Sequence, residues 1–278
     1  MKQVDIVIVG CGFTGQRVAS RMLAAGARVR LTVRNPSSAA DLQRAGAEVL
    51  AWDAANPQPL PIPEGAALLH SVPSLEISGQ PADPTPALFS SLRGIPSRIV
   101  YLSTTGVYGP VRDVDHHTPV NPQSSREQAR VDAEKSVKSG PWTSLILRPA
   151  AIYGPGRGIH VSMARREYKL VDGGQNFVSR VHVEDLASHA EAGLLSAVAG
   201  AYPVADEHPC PAWEIARFCS ELLHVPMPAS MHPGDVHPTR RADRRVDGAE
   251  IRRLLSVPLR YPSYHTGIPA SLTYSDAN

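Results

Sequence analysis

Apolar residues along the first 150 positions follow two alternating rhythms. Val4 to Val9 is a β-branched run bounded by glycine, which predicts a strand. Thr14 to Ala25 then sets Val18, Met22 and Ala25 at helical spacing, with Gly26 as the stop. Arg28 to Val33 reads as a second strand, Ser38 to Ala45 as a short helix closed by Gly46, and Ala47 to Ala51 as a third strand. After a proline-rich loop, Asn56 to Pro63, the run Ala66 to Val72 has the unbroken apolar character of a strand buried on both faces. A helix-like piece around Ala87 to Leu92, a strand at Arg98 to Leu102, a polar helix at Ser125 to Ser139 and a strand at Thr143 to Leu147 continue the alternation. Strands separated by helices in this way predict an α/β fold with a doubly wound parallel sheet and right-handed crossovers. Beyond about Gly154 the rhythm breaks, and Ala212 to Leu223 is the one clear helix. The expected division is a first domain over 1–155 and a smaller mixed lobe over 156–278, with segment 178–190 returning to the first domain.

Composition narrows the function classes. Hydrophobic residues are 42% and charged residues 19% of the 278, and Lys+Arg 28 nearly balances Asp+Glu 26. A net charge of +2 supplies no field for gathering nucleic acid. The run Ile6 to Val9 is too short for a signal-peptide core, and no stretch approaches the roughly 20 apolar residues that span a bilayer. A soluble, cytoplasmic protein without nucleic-acid or membrane partners is expected. Cys11, Cys210 and Cys219 are odd in number and widely spaced, which suits reduced thiols. Prolines number 26, nearly twice the ordinary usage of about 5%, so the loops should be stiff.

Between the first strand and the first helix stands Gly10-Cys11-Gly12-Phe13-Thr14-Gly15, a G-x-G-x-x-G turn. In that context one glycine permits the tight turn, one lets backbone approach a pyrophosphate and one lets the helix pack on the strand, while the helix N-terminus offers N–H groups to the phosphates. Gly10, Gly12, Phe13, Thr14 and Gly15 are therefore candidate dinucleotide-binding residues in a Rossmann-type sheet. An NAD site usually carries Asp or Glu after the second strand, whereas Arg34-Asn35 follows Val33 here. A guanidinium fork suits a 2′-phosphate, which favours NADP over NAD.

Tyr101-Leu102-Ser103-Thr104-Thr105-Gly106-Val107-Tyr108-Gly109 follows the fifth strand, and Leu147-Arg148-Pro149-Ala150-Ala151-Ile152-Tyr153-Gly154-Pro155-Gly156-Arg157 follows the sixth. With the glycine-rich turn, with Val181-His182-Val183-Glu184-Asp185-Leu186-Ala187, and with Tyr261-Pro262-Ser263-Tyr264 and Gly267, these resemble the extended short-chain dehydrogenase/reductases of the NAD-dependent epimerase/dehydratase family, in an atypical form. The resemblance covers nearly the whole chain. It implies that Asp53 contacts adenine, that Val72 and Pro73 line the cofactor, and that the Pro149 to Ile152 backbone lies near the nicotinamide. It also implies that Thr104 stands at the catalytic Ser/Thr position, where a hydroxyl hydrogen-bonds a substrate oxygen as its charge changes.

The family's Tyr-x-x-x-Lys pair is missing. In Ser125-Arg126-Glu127-Gln128-Ala129-Arg130-Val131-Asp132-Ala133-Glu134, Arg126 falls at the tyrosine position and Arg130 at the lysine. Arginine stays protonated at pH 7, so Arg126 cannot accept a proton, although Arg130 could donate to a ribose. His116 and His117 could supply a substitute acid/base, since histidine titrates near neutrality. His182 reads as a hydrogen-bonded core histidine. His232 and His237 lack a carboxylate at ligand spacing, so no metal site is expected. The tract Arg240, Arg241, Arg244, Arg245, Arg252 and Arg253 either faces an anionic small-molecule substrate or forms a solvated, ion-paired helix face. Family members often pair through the region of helix 125–139, which would give a homodimer. Two functions stay open: an NADP-dependent oxidoreductase or epimerase-like enzyme, and a cofactor-binding sensor without turnover.

Overall fold

The computed structural model describes residues 4–77, 79–236 and 241–273. At its centre are seven strands: β1 (Asp5–Val9), β2 (Arg28–Val33), β3 (Glu48–Ala51), β4 (Ala67–His70), β5 (Arg98–Leu102), β6 (Thr143–Pro149) and β7 (Gly200–Val204). They lie in the order β7-β6-β5-β4-β1-β2-β3, every neighbouring pair parallel. The doubly wound sheet is thus borne out, with β7 added to the strands that the apolar pattern marks.

Alternation along the strands builds two cores. Ile6, Ile8, Leu31, Leu69, Val100 and Leu145 face one side of the sheet, and Val7, Val9, Leu68, Ile99, Tyr101 and Ile146 the other. The first face is covered by helices α1 (Gly15–Ala24), α2 (Ala40–Arg44) and, from the far end of the chain, residues introduced below; the second is covered by α3 (Thr85–Ser91) and α4 (Ser125–Lys138). A third apolar cluster gathers Tyr153, Met163, Leu170, Ile215, Cys219, Tyr264 and Ile268. It joins α5 (Ile159–Ala164) to α7 (Ala212–Leu223) and α9 (Tyr264–Thr273), with α6 (Val183–Leu195) and α8 (Ala249–Leu255) lying between them in the chain.

Helices α6 and α8 leave that cluster and return to the sheet. Leu186, Ala187, Ala190 and Leu194 of α6, with Ile251 and Leu255 of α8, join the same core as Ile6 and Ile8. Glu184 at the start of α6 accepts from Arg17 Nε at 2.7 Å and from Arg21 Nη2 at 2.5 Å, fastening α6 to α1. His182 caps α6: it is buried, its Nδ1 accepts from Glu184 N at 3.2 Å, and its Nε2 lies 3.2 Å from Ser271 Oγ. Desolvation lowers its pKa to about 4, which keeps the ring neutral.

Helix α4 is held by charge as much as by apolar contact. Its buried side chains are Val131, Ala133 and Val137, together with Arg130 and Glu134. Glu134 receives Arg148 of β6 in a two-pronged pair, Nη2 at 2.6 Å and Nε at 3.0 Å, and Ser103 Oγ at 2.6 Å. Arg148 Nη1 also reaches Tyr108 Oη at 3.1 Å. One helical turn earlier, Arg130 Nη1 lies 2.9 Å from Asp83 Oδ2, and Tyr101 Oη donates to the same carboxylate at 2.8 Å. Asp206, just beyond β7, is buried differently. Its Oδ1 accepts from His208 N at 3.1 Å, its Oδ2 has no partner among the described residues, and burial pushes its carboxyl up to about 7.

Two stability effects follow. Glu134→Ala strands the Arg148 guanidinium in the interior and should cost about 3 to 5 kcal/mol in urea denaturation; a loss below about 1 kcal/mol would mean that water replaces the carboxylate. The folded Asp206 holds its proton more tightly than an unfolded aspartate, whose ordinary value is 3.8. Its contribution favours folding fully below that value and is lost as pH rises through about 7. Asp206→Asn should therefore gain stability relative to wild type as pH climbs from about 4 to about 8, and a difference that does not vary with pH would contradict this.

Candidate active site

The order reversal at β1 and β4 opens a crevice at their C-terminal ends, the place where open α/β sheets bind ligands. Val9 and His70 pair at these ends, so the residues that follow, Gly10 and Ser71-Val72, meet across the crevice. Gly10 has φ of +86°, and a Cβ there would stand 2.8 Å from Val72 N. Gly15 is tightly packed as well, since a Cβ would sit 3.0 Å from Gly10 O and 3.2 Å from Ile8 Cγ2. Gly12 differs: a Cβ there would meet nothing within 4 Å. The fold makes no demand for glycine at position 12, and the space above it is open to a ligand.

The turn is rigidly pinned from behind. Cys11 N donates to Thr32 O at 2.8 Å, Gly10 N to Thr32 Oγ1 at 3.1 Å, and Ser71 Oγ to Gly10 O at 2.7 Å. Thr14 makes no side-chain cap on α1, and the first turn of α1 holds no acidic residue. The positive end of α1 is thus not neutralised by its own sequence, and it faces the crevice beside Gly12. Phe13 lies between two guanidinium groups, Arg17 at 4.5 Å and Arg157 at 5.3 Å from the ring centre. This cradle fits the pyrophosphate of a dinucleotide.

At the end of β2, Arg34 is exposed and forms no hydrogen bond or ion pair with the described residues. Asn35 is engaged locally, its Oδ1 accepting from Ser37 N at 3.2 Å to cap a short turn over Pro36–Ala39. Asp53 Oδ1 likewise accepts from Ala55 N at 3.0 Å. Val72 packs against Gly10, and Pro73 is exposed beside it.

On the far side of the crevice, Thr104 is half-buried after β5, and its Oγ1 accepts from Gly106 N at 3.1 Å. The hydroxyl hydrogen is left to donate elsewhere. Arg126, Arg130 and Glu134 follow one another at four-residue spacing on one face of α4. Arg126 is exposed, whereas Arg130 is buried on Asp83 and, at 2.5 Å, on Tyr101 Oη. The same network runs on through Asp83 to Thr85, whose Oγ1 lies 3.0 Å from His70 Nε2.

His116 and His117 are exposed and lie ring to ring at 3.8 Å. The arginine tract does not form one cationic face. Arg244 is buried on Gly109 O and Val111 O, Arg245 pairs with Asp113, Arg252 with Glu207 and Ala205 O, and Arg253 with Glu250. His237 and Arg240 lie outside the described residues. No metal site was expected from His232 and His237, but a group the sequence did not mark comes together elsewhere: His208, Cys210 and Glu214 each bring a potential ligand atom within 4.8 Å of the others, with His208 Nε2 3.0 Å from Glu214 Oε1. No sequence signal singled them out, because Cys210 and Glu214 meet only where a short strand enters α7.

Two cavities lie beyond the ends of β6 and β7. One, of about 420 Å³, lies between Asp206-Glu207 and the paired segments Asp113-Val114 and Arg245-Val246. The other, of about 390 Å³, is lined by Ala151, Ile152 and Tyr153 just after β6, by Ile159 and Ser162 of α5, and by Tyr168, Val178 and Arg180. Arg180 was not among the candidate residues. It occupies a three-residue strand, Arg180–His182, too short for its burial to be read from a pattern.

No family model matches the sequence. Over 110 residues, 37% of this chain and 36% of the other, it is 28% identical to a 3-diazoavenalumate denitrifying reductase from a Streptomyces species. The match thus spans well under two thirds of that reductase. Among solved structures, a functionally unknown conserved protein from Silicibacter pomeroyi is 29% identical, with a TM-score of 0.80 over 99% of this chain and 100% of that one. ADP-L-glycero-D-manno-heptose-6-epimerase from Helicobacter pylori superimposes with a TM-score of 0.78 at 17% identity, covering 100% and 98% of the two chains. MoeE5 in complex with UDP-glucose and NAD gives 0.78 at 16% identity, with 98% of each chain covered. Among the described residues no helix is long and apolar enough to cross a membrane. With this topology, the chain shares the Rossmann-like α/β fold of these epimerase and NAD-bound structures.

Proposed function

We propose that the chain binds NADP(H) across the Gly10–Gly15 turn and acts as an oxidoreductase or epimerase-like enzyme on a small polar substrate. The observation that carries this reading is Gly12, a glycine that neither backbone angle nor packing requires, standing at the uncapped end of α1 in the crevice of the sheet. The names of the similar proteins, a reductase, an epimerase and a structure solved with NAD, support the same class. Arg34 favours the phosphorylated dinucleotide, because an exposed guanidinium without an acidic partner is free to take a 2′-phosphate.

When bound, the nicotinamide supplies hydride transfer. Thr104 is then placed to donate its hydroxyl hydrogen to a substrate oxygen, since its own oxygen already accepts from Gly106 N. Arg126 stays protonated and can orient an anion or polar group but cannot take a proton. Arg130, held on Asp83, supports α4. These two arginines favour a second reading, a dinucleotide-binding sensor without turnover. Consumption of NADPH in the presence of a carbonyl substrate separates the two.

Gly12→Val should keep the native circular dichroism spectrum while weakening NADPH binding at least about 100-fold, because a side chain would fill the space of the pyrophosphate. A folded variant that binds NADPH normally would show that the turn is not the phosphate site. Fluorescence titration should find NADPH bound more tightly than NADH, with Arg34→Asp abolishing the difference. Equal affinities in the wild-type protein would overturn the assignment of Arg34.

A further inference from the structure

Arginine 180 is 5% exposed, and its side chain lines the cavity of about 390 Å³. Other buried arginines are supplied with acceptors. Arg130 and Arg148 face Asp83 and Glu134, Arg98 reaches Gly193 O and Val198 O through two different nitrogens, and Arg244 reaches two carbonyls. Arg180 donates through Nη1 alone, to Val178 O at 3.0 Å and to Cys210 Sγ at 3.4 Å. Neither acceptor is charged, because burial raises the Cys210 thiol and keeps it protonated. Its Nε and Nη2 have no acceptor, and it forms no ion pair, among the described residues. Glu167, exposed at the rim of the same cavity, does not pair with it either.

The buried carboxyl of Asp206 acts on Arg180 only through space, with no hydrogen bond or ion pair between them, and a buried cation without a hydrogen-bonded counter-charge is costly unless an anion arrives to share its site. The parallel ladder Ala151↔Arg180, Ile152↔Val181 and Tyr153↔His182 fixes Arg180 beside the segment that follows β6, which places the cavity next to the proposed nicotinamide position. Tyr153, Tyr168 and Ser162 line the same space. We infer that Arg180 anchors the oxyanion of a small organic substrate, a carboxylate or a phosphate ester, whose body lies against Tyr153 and Tyr168. The volume lies near the lower end of the roughly 300 to 1,000 Å³ of small-molecule sites, which suits a molecule built on a single ring. A planar fork with two free nitrogens gives the two parallel hydrogen bonds that a carboxylate or phosphate prefers. This inference builds on the reading of the crevice as a dinucleotide and substrate site. It also moves the anionic contact from the Arg240–Arg253 tract to a residue outside it.

Ligand-observed NMR titration with benzoate, phenyl phosphate and the neutral isostere benzamide tests it, on wild-type protein with and without NADP+. Either anion should bind about 10-fold or more tightly than benzamide, the scale of a hydrogen-bonded charge. The better of the two tells carboxylate from phosphate ester. Arg180→Gln should erase the preference while leaving NADP+ affinity unchanged, and Arg180→Lys should restore part of it, which a purely structural arginine would not do. Ser162→Glu sets a carboxylate in the same cavity and should also depress anion binding, so the assignment stays testable if Arg180→Gln folds poorly. A wild-type protein with no preference for either anion, or a preference that survives in folded Arg180→Gln, overturns the proposal. Failure to bind NADP+ refutes the cofactor reading instead, and the titrations without NADP+ still decide on Arg180.

Discussion

Two buried arginine–carboxylate pairs set the position of α4, and the side of the crevice that holds Thr104 and Arg126 depends on them. Helix α4 is mostly polar and has only Val131, Ala133 and Val137 as buried apolar anchors. Its placement comes from Arg130 on Asp83 and Glu134 on Arg148, which link it to the segment before α3, to Tyr101 and Ser103 near the end of β5, and to β6. Charges buried this far from water tolerate little slack, because lengthening either pair restores a desolvation cost of several kcal/mol. The four-residue spacing then brings Arg126 out at the open end of the same face.

The two halves of the crevice use glycine and arginine in opposite ways. On the cofactor side, side chains are removed: Gly10 and Gly15 let backbone segments touch, and Gly12 leaves a surface for a ligand. On the α4 side, charge is introduced and mostly neutralised in place. Arg148 and Arg130 have carboxylates, and Arg244 has backbone carbonyls. Arg180 stands apart, since its cavity lies where a third component would complete the balance.

The central sheet was legible because its punctuation is local. Strands Arg28–Val33 and Arg98–Leu102 and helix Ala212–Leu223 match their apolar patterns to the residue. The glycine-rich turn was legible because each glycine sits at a fixed offset from β1. Strand β7 was not, since Gly200-Ala201-Tyr202-Pro203-Val204 has weak strand character; pairing with β6 makes it a strand, and its edge position tolerates the proline. Helix α6 was not marked either, because the switch at His182 is made by a side-chain cap and not by glycine or proline. The polar pairings were the least legible. Asp83 and Arg130 are 47 positions apart, a separation bridged only by the sheet, and no periodicity marks Arg180 or Asp206 as buried.

The fastening of α6 to α1 has a consequence for synthesis. The face of the sheet formed by Ile6, Ile8, Leu31, Leu69, Val100 and Leu145 is complete in sequence by residue 149, yet part of its cover comes from α6 and from α8, which ends at Leu255. A ribosome that has released the first six strands has therefore produced a chain with apolar surface still uncovered, and Glu184 has not yet met Arg17 and Arg21. At translation rates of roughly 5 to 20 residues per second, the wait for Leu255 lasts several seconds. During that interval the apolar face remains short of part of its cover, the condition under which nascent chains are prone to aggregate, and the arrival of α6 and α8 ends this exposure.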